Sequence, residues 1–307
     1  MSMEKIGFIG MGNMGRPMAT RLASKGYDVR AYDIRPEASQ GLEEVGILWA
    51  GSIREITQTS SVLITMVLKA EQVREIILGS EGILETASSG TVVLEMTSSD
   101  PAVTREVGLK CAEKEILLID APVSGGVEAA RKGTLTIMVG GEEEAVDRVR
   151  PVLMAMGKTI VHMGSLGSGH AMKLMNNFIS ATTLSATAEV VALACKAGIS
   201  AERVVEVLQT STGTSDAVTR KFPQHIFPNE EIGFTIDIMQ KDVKTYLQFA
   251  QEMGIPTFVS SSVYNLWNLH TIEGRGQQDA IHFVEPYERW CGSQIRGITK
   301  KNKEVPN

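Results

Sequence analysis

The sequence predicts an α/β N-terminal domain, doubly wound around a mostly parallel sheet, followed by an all-α C-terminal domain reached through one long helix. Three observations carry this. Through the first half, short runs rich in Val, Ile and Leu alternate with helix-patterned segments, as in a sheet covered by helices on both faces. That rhythm stops near Gly164, and from Ser168 onward the apolar spacing is helical. The segment GSLGSG, Gly164 to Gly169, lies between the two patterns and reads as a hinge. The expected division is residues 1–164 for the sheet domain, 165–300 for the helical domain and 301–307 for a polar tail.

The elements follow in chain order. The first strand is IGFIG, and a glycine-rich turn after it opens a helix. Pro17 falls near that helix's first turn, where a missing N–H is tolerated, and Gly26 ends it. The next strands are DVRAYD, SVLITMVL, TVVLEM, ILLIDAP, TLTIMVG and TIVHMG. The long helix is SGHAMKLMNNFISATTLSATAEVVALACKAG, with apolar residues at Met172, Met175, Phe178, Ile179 and Ala186 and a dense patch around Val190. Gly198 is its stop. Its Lys173, Asn176, Asn177 and Glu189 are costly in lipid, so it reads as a buried helix and not as a membrane span. Shorter helices follow at AERVVEVLQ, IDIMQKDVKTYLQFAQEMG, TFVSSSVYNLWNL and QDAIHFVEPYERW.

Composition narrows the function. At 307 residues the chain has room for two domains, and 43% hydrophobic with 21% charged residues is the profile of a soluble globular protein. A net charge of −6 argues against a nucleic-acid partner, which would need a basic face. The basic cluster in the tail, KKNKEVPN, reads as a solvated terminus. Cys111, Cys195 and Cys291 form no C-x-x-C and leave one unpaired in any disulfide scheme, which points to a reducing, cytoplasmic setting. The start MSMEKIGFIG lacks a basic region followed by a long apolar core, so no signal peptide is expected. No His, Cys or Asp cluster has metal-ligand spacing, so no metal is expected.

Gly10, Gly12 and Gly15 stand at G-x-G-x-x-G spacing between a strand and a helix. Gly10 allows the tight turn, Gly12 lets backbone approach a pyrophosphate, and Gly15 lets the helix pack close to the sheet. The second strand ends in Asp33, at the distance the dinucleotide fingerprint requires. A carboxylate there would accept the ribose hydroxyls and repel a 2′-phosphate, which favours NAD over NADP. Arg35 beside it could serve a 2′-phosphate, and Asp33 could instead cap a helix starting near Pro36.

Three further segments stand out. DAPVSGG, Asp120 to Gly126, ends in backbone N–H groups beside a hydroxyl, which suits a carboxylate; it also suits a plain turn. In GSGHAMKLMNN, Lys173 has Asn177 one turn on, on the same helix face. A lysine on an apolar helix is costly to bury without a partner or a task, and proton transfer is one such task. His170 nearby reads as a structural or surface residue. QKDVKTYLQFA carries Lys241 and Asp242, a pair that by itself reads as a solvated helix face.

Together these segments resemble the β-hydroxyacid dehydrogenases, a family that includes 3-hydroxyisobutyrate dehydrogenase and tartronate semialdehyde reductase. The resemblance covers almost the whole chain, in family order. It is carried by GFIGMGNMGRPMA, DAPVSGGVEAARKGTLTIMVGG, the G-x-G-x-x-x-K-x-x-x-N pattern of Gly167, Gly169, Lys173 and Asn177, and the pair Lys241-Asp242. SSDPAVTRE matches the family segment that faces the nicotinamide.

The resemblance implies a Rossmann domain joined by a long helix to an all-α domain, with substrate in the cleft between them. It implies hydride transfer between NAD and a small β-hydroxy acid or its semialdehyde: hydroxyisobutyrate, glycerate/tartronate semialdehyde, or a sulfonated or longer analogue. Lys173 would be the catalytic acid/base and Asn177 would position it and the substrate. Ser124, Gly125 and Gly126 would hold the substrate carboxylate, with Lys241 adding positive charge there. The cofactor would contact Gly10, Met11, Gly12, Asn13, Met14, Gly15, Asp33 and Lys241, with Ser98, where many relatives have threonine, by the nicotinamide. Met66, Val67 and Leu68 would also touch it, in a loop that matches the family pattern loosely. The far end of the substrate would meet Phe234, Trp267 and the loop GRGQQD, with Arg131 and Lys132 either near it or on the surface. A homodimer or homotetramer with the long helix between subunits is implied as well. The alternatives are an imine reductase of the same architecture and a non-catalytic dinucleotide-binding module; Lys173 speaks against both, since such relatives generally lack the lysine.

Overall fold

The computed structural model describes residues 4–297. The expected tail, 301–307, lies outside the described residues. The chain divides into two compact units, Met1–Lys173 and Leu174–Asn307.

In the first unit the strands are β1 Lys5–Ile9, β2 Asp28–Tyr32, β3 Ile47–Trp49, β4 Val62–Thr65, β5 Val92–Glu95, β6 Leu117–Asp120, β7 Val123–Ser124, β8 Leu135–Gly140 and β9 Gly157–Gly164. The sheet order is β3-β2-β1-β4-β5-β6-β8-β7, with β9 paired to β8. The first six strands are parallel. β8 is antiparallel to β6 and β7 and parallel to β9. The helices are α1 Gly15–Ser24, α2 Ile53–Thr59, α3 Ala70–Leu78, α4 Ile83–Thr86, α5 Pro101–Glu113, α6 Gly126–Lys132 and α7 Glu143–Met156.

Successive side chains on a strand point to opposite faces, and both faces here are covered. Val62 and Ile64 of β4 join a core with Met18 and Leu22 of α1 and Val149 and Leu153 of α7. Leu63, between them, joins the opposite core with Ile56, Val73 and Val107 from α2, α3 and α5. Burial on two sides is why the central strands read as unbroken apolar runs rather than as alternating ones. Two strands have no such signal. β3 spans three residues with Leu48 exposed, and β7 spans two at the turn between β6 and α6.

α8, Ser168–Lys196, starts in the first unit and continues into the second. It is followed by α9 Ala201–Thr210, a π-helical segment Ala217–Ile226, α10 Ile236–Glu252, α11 Phe258–Ile272, a 3₁₀ turn Ala280–Val284 and α12 Glu285–Cys291. Gly198, at φ +85°, turns the chain out of α8. The π-helical segment is not visible as a periodic helix, because Pro223 removes a backbone donor and the widened turn bonds Phe227 N–H to the Phe222 carbonyl at 2.8 Å. The stretch QDAIHFVEPYERW is not one helix: the 3₁₀ turn gives way to α12 at Glu285, with Pro286 in its first turn.

The core of the second unit forms around Trp267, which stacks on Phe283 with ring centroids 4.3 Å apart and donates Nε1–H to Ser185 Oγ at 3.2 Å. α8 is less covered than its composition suggests. It is long and apolar enough to cross a membrane, yet only 39% of its most apolar stretch is buried in this chain. Met175, Ile179, Val190 and Leu193 are exposed, so the expectation of a buried helix is corrected to one of partial burial.

Candidate active site

The glycine-rich loop joins β1 to α1. Gly10 has φ +101°, and a Cβ there would overlap the Met66 carbonyl oxygen and lie 3.1 Å from Val67 Cγ1. A Cβ at Gly15 would overlap the Gly10 carbonyl oxygen and lie 3.1 Å from Phe8 Cε1. These two glycines are required by the fold. Gly12 is different: a Cβ there would meet no heavy atom of the described residues within 4 Å, so nothing among them asks for glycine. A group outside the chain, approaching the loop backbone, would ask for it. Asn13 is exposed, and Met14 at the N-cap of α1 gives no side-chain hydrogen bond. The N–H groups of the first turn therefore have room for an anionic partner, and the loop fits a dinucleotide pyrophosphate.

Asp33 follows β2 and is buried. Its Oδ2 accepts the Met11 N–H at 2.8 Å, and its Oδ1 accepts the Arg35 N–H at 2.9 Å. The Arg35 guanidinium adds bonds at 3.0 and 3.2 Å. Burial acts to raise the carboxyl's pKa, but the hydrogen bonds from Arg35 and Met11 outweigh it and hold the group below the usual carboxylate range. Asp33 is thus an anion pinned to the loop. The Pro36–Ser39 turn has no side-chain cap, so Asp33 does not cap it. The Arg35 side chain is 56% exposed and can move aside for a ribose.

The loops at the carboxyl ends of β1, β4 and β5 converge. In the sheet order, the chain runs outward from β1 through β2 to β3 and returns on the other side at β4, the reversal that opens a crevice at the strand ends. Met66 N–H bonds the Ile9 carbonyl at 2.9 Å, Val67 N–H bonds Thr97 Oγ1 at 3.1 Å, and Leu68 N–H bonds Gln72 Oε1 at 3.1 Å. Ser98 is half-buried on the next loop, directly after Thr97. Gly10, Met11, Asp33, Met66, Val67 and the residue before Ser98 are therefore linked by direct contacts, two of them backbone N–H groups bonding the Asp33 and Thr97 side chains.

Ser124 ends β7, where it pairs with Thr136 of β8. Gly125 and Gly126 have φ +129° and +72°, a left-handed pair suited to glycine. A Cβ at Gly125 would press to 2.6 Å from Ala129 Cβ, whereas Gly126 faces open space. Arg131 and Lys132 are exposed and pair with Glu128 on their own helix at 3.8 and 3.0 Å, which places them on the surface.

The start of α8 is held by buried polar groups. Asp120, at the end of β6, accepts the Gly167 and His170 N–H groups at 2.7 Å each, so its carboxylate serves the helix's free first-turn donors. The His170 ring is fully buried and structural, not on the surface. Burial alone would favour the neutral ring, but Glu95 at 2.8 Å, with Asp120 and the Thr97 carbonyl, raises its pKa above the usual histidine value. Lys173 lies one turn further along α8 and is half-buried.

In the second unit, Asn177 of α8 donates from Nδ2 to Oδ2 of Asp242 at 2.6 Å and accepts from Asn176 Nδ2 at 3.2 Å. Lys241 Nζ is 3.1 Å from Oδ1 of the same Asp242, so this carboxylate brings Asn177 and Lys241 together. Asp242 is not a solvated face but a buried acceptor on the Met239–Val243 side of α10. Its signal was a charge inside an apolar helical stripe. Phe234 is joined to the GRGQQD loop, since its carbonyl accepts the Ala280 N–H at 2.9 Å and Thr235 bridges Asp279. Trp267, expected near the substrate, is instead a fully buried core residue.

Sequence reasoning missed Glu95, Thr97 and the use of Asp120. The available signal was a lone carboxylate inside the apolar run VVLEM, which a doubly covered strand does not tolerate without partners.

Residues 5–165 match the family described as the NAD binding domain of 6-phosphogluconate dehydrogenase. Residues 167–287 match the one described as NAD-binding of NADP-dependent 3-hydroxyisobutyrate dehydrogenase. The chain is similar to 2-(hydroxymethyl)glutarate dehydrogenase of Eubacterium barkeri, 32% identical over 95% of this chain and 98% of that protein. It is similar to 3-hydroxyisobutyrate dehydrogenase of Pseudomonas aeruginosa, 35% identical over 91% of this chain and 95% of that protein. Among solved structures it resembles Mycobacterium tuberculosis 3-hydroxyisobutyrate dehydrogenase with L-serine. The TM-score is 0.85 at 31% identity, covering 93% of this chain and 99% of that one.

Proposed function

The chain belongs to the β-hydroxyacid dehydrogenase family, as an NAD-dependent hydroxyacid dehydrogenase of the 3-hydroxyisobutyrate dehydrogenase type, and from that premise we propose that it oxidises a small β-hydroxy acid with Lys173 as acid/base. The observation that carries the role of Lys173 is its place on α8, one turn before an Asn177 whose amide is fixed by buried Asp242.

Bound NAD supplies the acceptor for the hydride that leaves the hydroxyl-bearing carbon. As that hydride departs, the hydroxyl must lose its proton, and Lys173 Nζ in its neutral form takes it. In the reverse direction the ammonium returns the proton to the aldehyde oxygen. Asn177 hydrogen-bonds the reacting oxygen and holds the lysine beside it. Ser124 Oγ with the N–H groups of Gly125 and Gly126 holds the substrate carboxylate, and the Lys241 charge strengthens that hold. Asp33 would hold the adenosine ribose, the exposed Arg35 side chain giving way to it, and Gly12 would leave room for the pyrophosphate. Met66 to Leu68 and Ser98 would line the nicotinamide side, and Phe234 would meet the substrate's far end.

The substrate class is a hydroxyisobutyrate-, glycerate- or serine-sized acid, supported by the relatives' names and by the carboxylate hold. Copies of the chain pair as a homodimer or homotetramer through the exposed apolar side of α8, on which Leu193 is 71% exposed. A cytoplasmic location accords with three free cysteines.

The test is a panel of β-hydroxy acids with NADH formation followed, alongside Lys173→Ala. The variant should lose about 10²–10⁴-fold in kcat with the Kd for NAD unchanged. A kcat close to wild type would remove the lysine from the mechanism.

A further inference from the structure

Glu95 and Asp120 are register partners on neighbouring parallel strands, β5 and β6, and both are buried. Two buried carboxylates side by side are costly unless a cation sits between them or one of them takes a proton. The group that faces both is the His170 ring. Its Nε2 lies 2.8 Å from Glu95 Oε2 and its Nδ1 lies 3.7 Å from Asp120 Oδ2.

The hydrogen bonds fix a proton on Nε2 and accommodate a second on Nδ1. Nε2 is 2.8 Å from the Thr97 carbonyl oxygen, which can only accept, so Nε2 donates. Nδ1 is 2.7 Å from Thr104 Oγ1, and that hydroxyl is itself 3.0 Å from the Asp100 carbonyl oxygen. The hydroxyl has one proton. If it goes to Asp100, which can only accept, Nδ1 must donate as well, and the ring is an imidazolium. Charged groups on the packed elements include the Asp100 carboxylate, occupied by the Ala102 N–H at 2.8 Å, Arg105, which lies against Gly167, and Lys173, one turn further along α8. Glu95 Oε1 accepts the Thr97 N–H at 2.8 Å, so the loop after β5 is tied to the cluster twice, through the N–H and the carbonyl of one residue.

We propose that His170 is a positioning residue: an imidazolium locked between Glu95 and Asp120 that fastens the Thr97–Ser98 loop to the first turn of α8 and thereby sets Lys173 against that loop. The catalytic consequence rests on the dehydrogenase reading; the protonation of the ring does not. A neutral ring would leave two adjacent buried anions without their cation, the loop would part from the helix, and the proton carrier would shift relative to the reacting carbon. A displacement of about 1 Å is enough to cost on the order of 10²-fold in rate.

Two measurements decide this. In the first, nitrogen-15 NMR of histidine-labelled, substrate-free protein is followed upward in pH past the ordinary histidine value. One of the five histidines should keep its imidazolium signature there, and the signal should vanish in His170→Gln. A His170 ring that is neutral at about pH 7 overturns the proposal. In the second, His170→Gln should lower kcat roughly 10–100-fold, with the Kd for NAD unchanged. The double variant Glu95→Gln/His170→Gln, which restores the charge balance, should recover thermal stability and part of the lost kcat. An unchanged kcat in folded His170→Gln, or a double variant that regains stability and none of the kcat, overturns the positioning role. If His170→Gln does not fold, the double variant carries the kinetic comparison. If wild type oxidises no hydroxy acid, the dehydrogenase reading fails, while the NMR titration still decides the state of the ring.

Discussion

Gly12 and Gly15 belong to one motif, yet the structure gives them opposite tasks, and replacing each by alanine separates those tasks. At Gly15 the new methyl would sit inside the Gly10 carbonyl oxygen and 3.1 Å from Phe8 Cε1, so α1 must move away from β1. Forcing a methylene into a packed contact costs about 1–3 kcal/mol, and a backbone clash belongs at or above the upper end. For a unit of this size, about 3 kcal/mol lowers Tm by roughly 6–12 °C. At Gly12 the methyl meets nothing among the described residues within 4 Å, so Gly12→Ala should leave Tm unchanged or raise it slightly by restricting the unfolded chain. The same methyl would stand where the pyrophosphate approaches. Losing one or two charge-assisted hydrogen bonds, each about 1.5–3 kcal/mol, weakens NAD by roughly 10–10⁴-fold. The assays are denaturant or thermal unfolding without NAD, and calorimetric titration with NAD. If Gly12→Ala unfolds as readily as Gly15→Ala and binds NAD like wild type, the division of labour within the loop is wrong.

Other outcomes follow from the same geometry. Asp33→Ser removes the anion that repels a 2′-phosphate and frees Arg35, so the NADP-to-NAD ratio of kcat/KM should rise by roughly 10-fold or more; an unchanged ratio places cofactor choice elsewhere. Asp242→Ala leaves the Asn177 amide without its acceptor, which should cost about 1–3 kcal/mol in urea unfolding and lower kcat without weakening NAD. Lys221 is buried on the π-helical segment with Nζ 2.7 Å from Ser180 Oγ, and burial pulls its pKa from 10.5 down to about 8. The unfolded chain holds that proton more tightly, so the penalty, on the order of 3 kcal/mol, is full below about pH 8 and disappears as pH rises towards 10.5. Lys221→Met should therefore be more stable than wild type at about pH 7, with the advantage fading by about pH 10. Equal pH slopes for the two proteins would show that the lysine does not carry this burden.

Much of the first unit was legible because its signals are local. A doubly covered parallel strand must be apolar at every position, and VLIT and VVLE show that without knowledge of any partner. The glycine spacing and Asp33 were legible because a turn, a close approach and a strand end each impose a residue type at a set distance along the chain. β3 and β7 were not legible, since two or three residues hold no period. Trp267 was misplaced for a related reason: an aromatic residue on a helix gives the same pattern whether its ring meets a ligand or, as here, Phe283.

The sequence alone determined the alternating α/β half, the helical half, the dinucleotide loop and the family, because each depends on residue type and short spacing. Only the tertiary structure decided what the buried charges do. Glu95 and Asp120 become neighbours through the β5–β6 register, and His170 reaches them from 75 and 50 positions away. Asp242 meets Asn177 across 65 positions, which turned an apparent surface pair into the acceptor that fixes an amide. A charge in water needs no partner and a buried one needs several, and burial is a property of the folded chain that no local stretch of residues specifies.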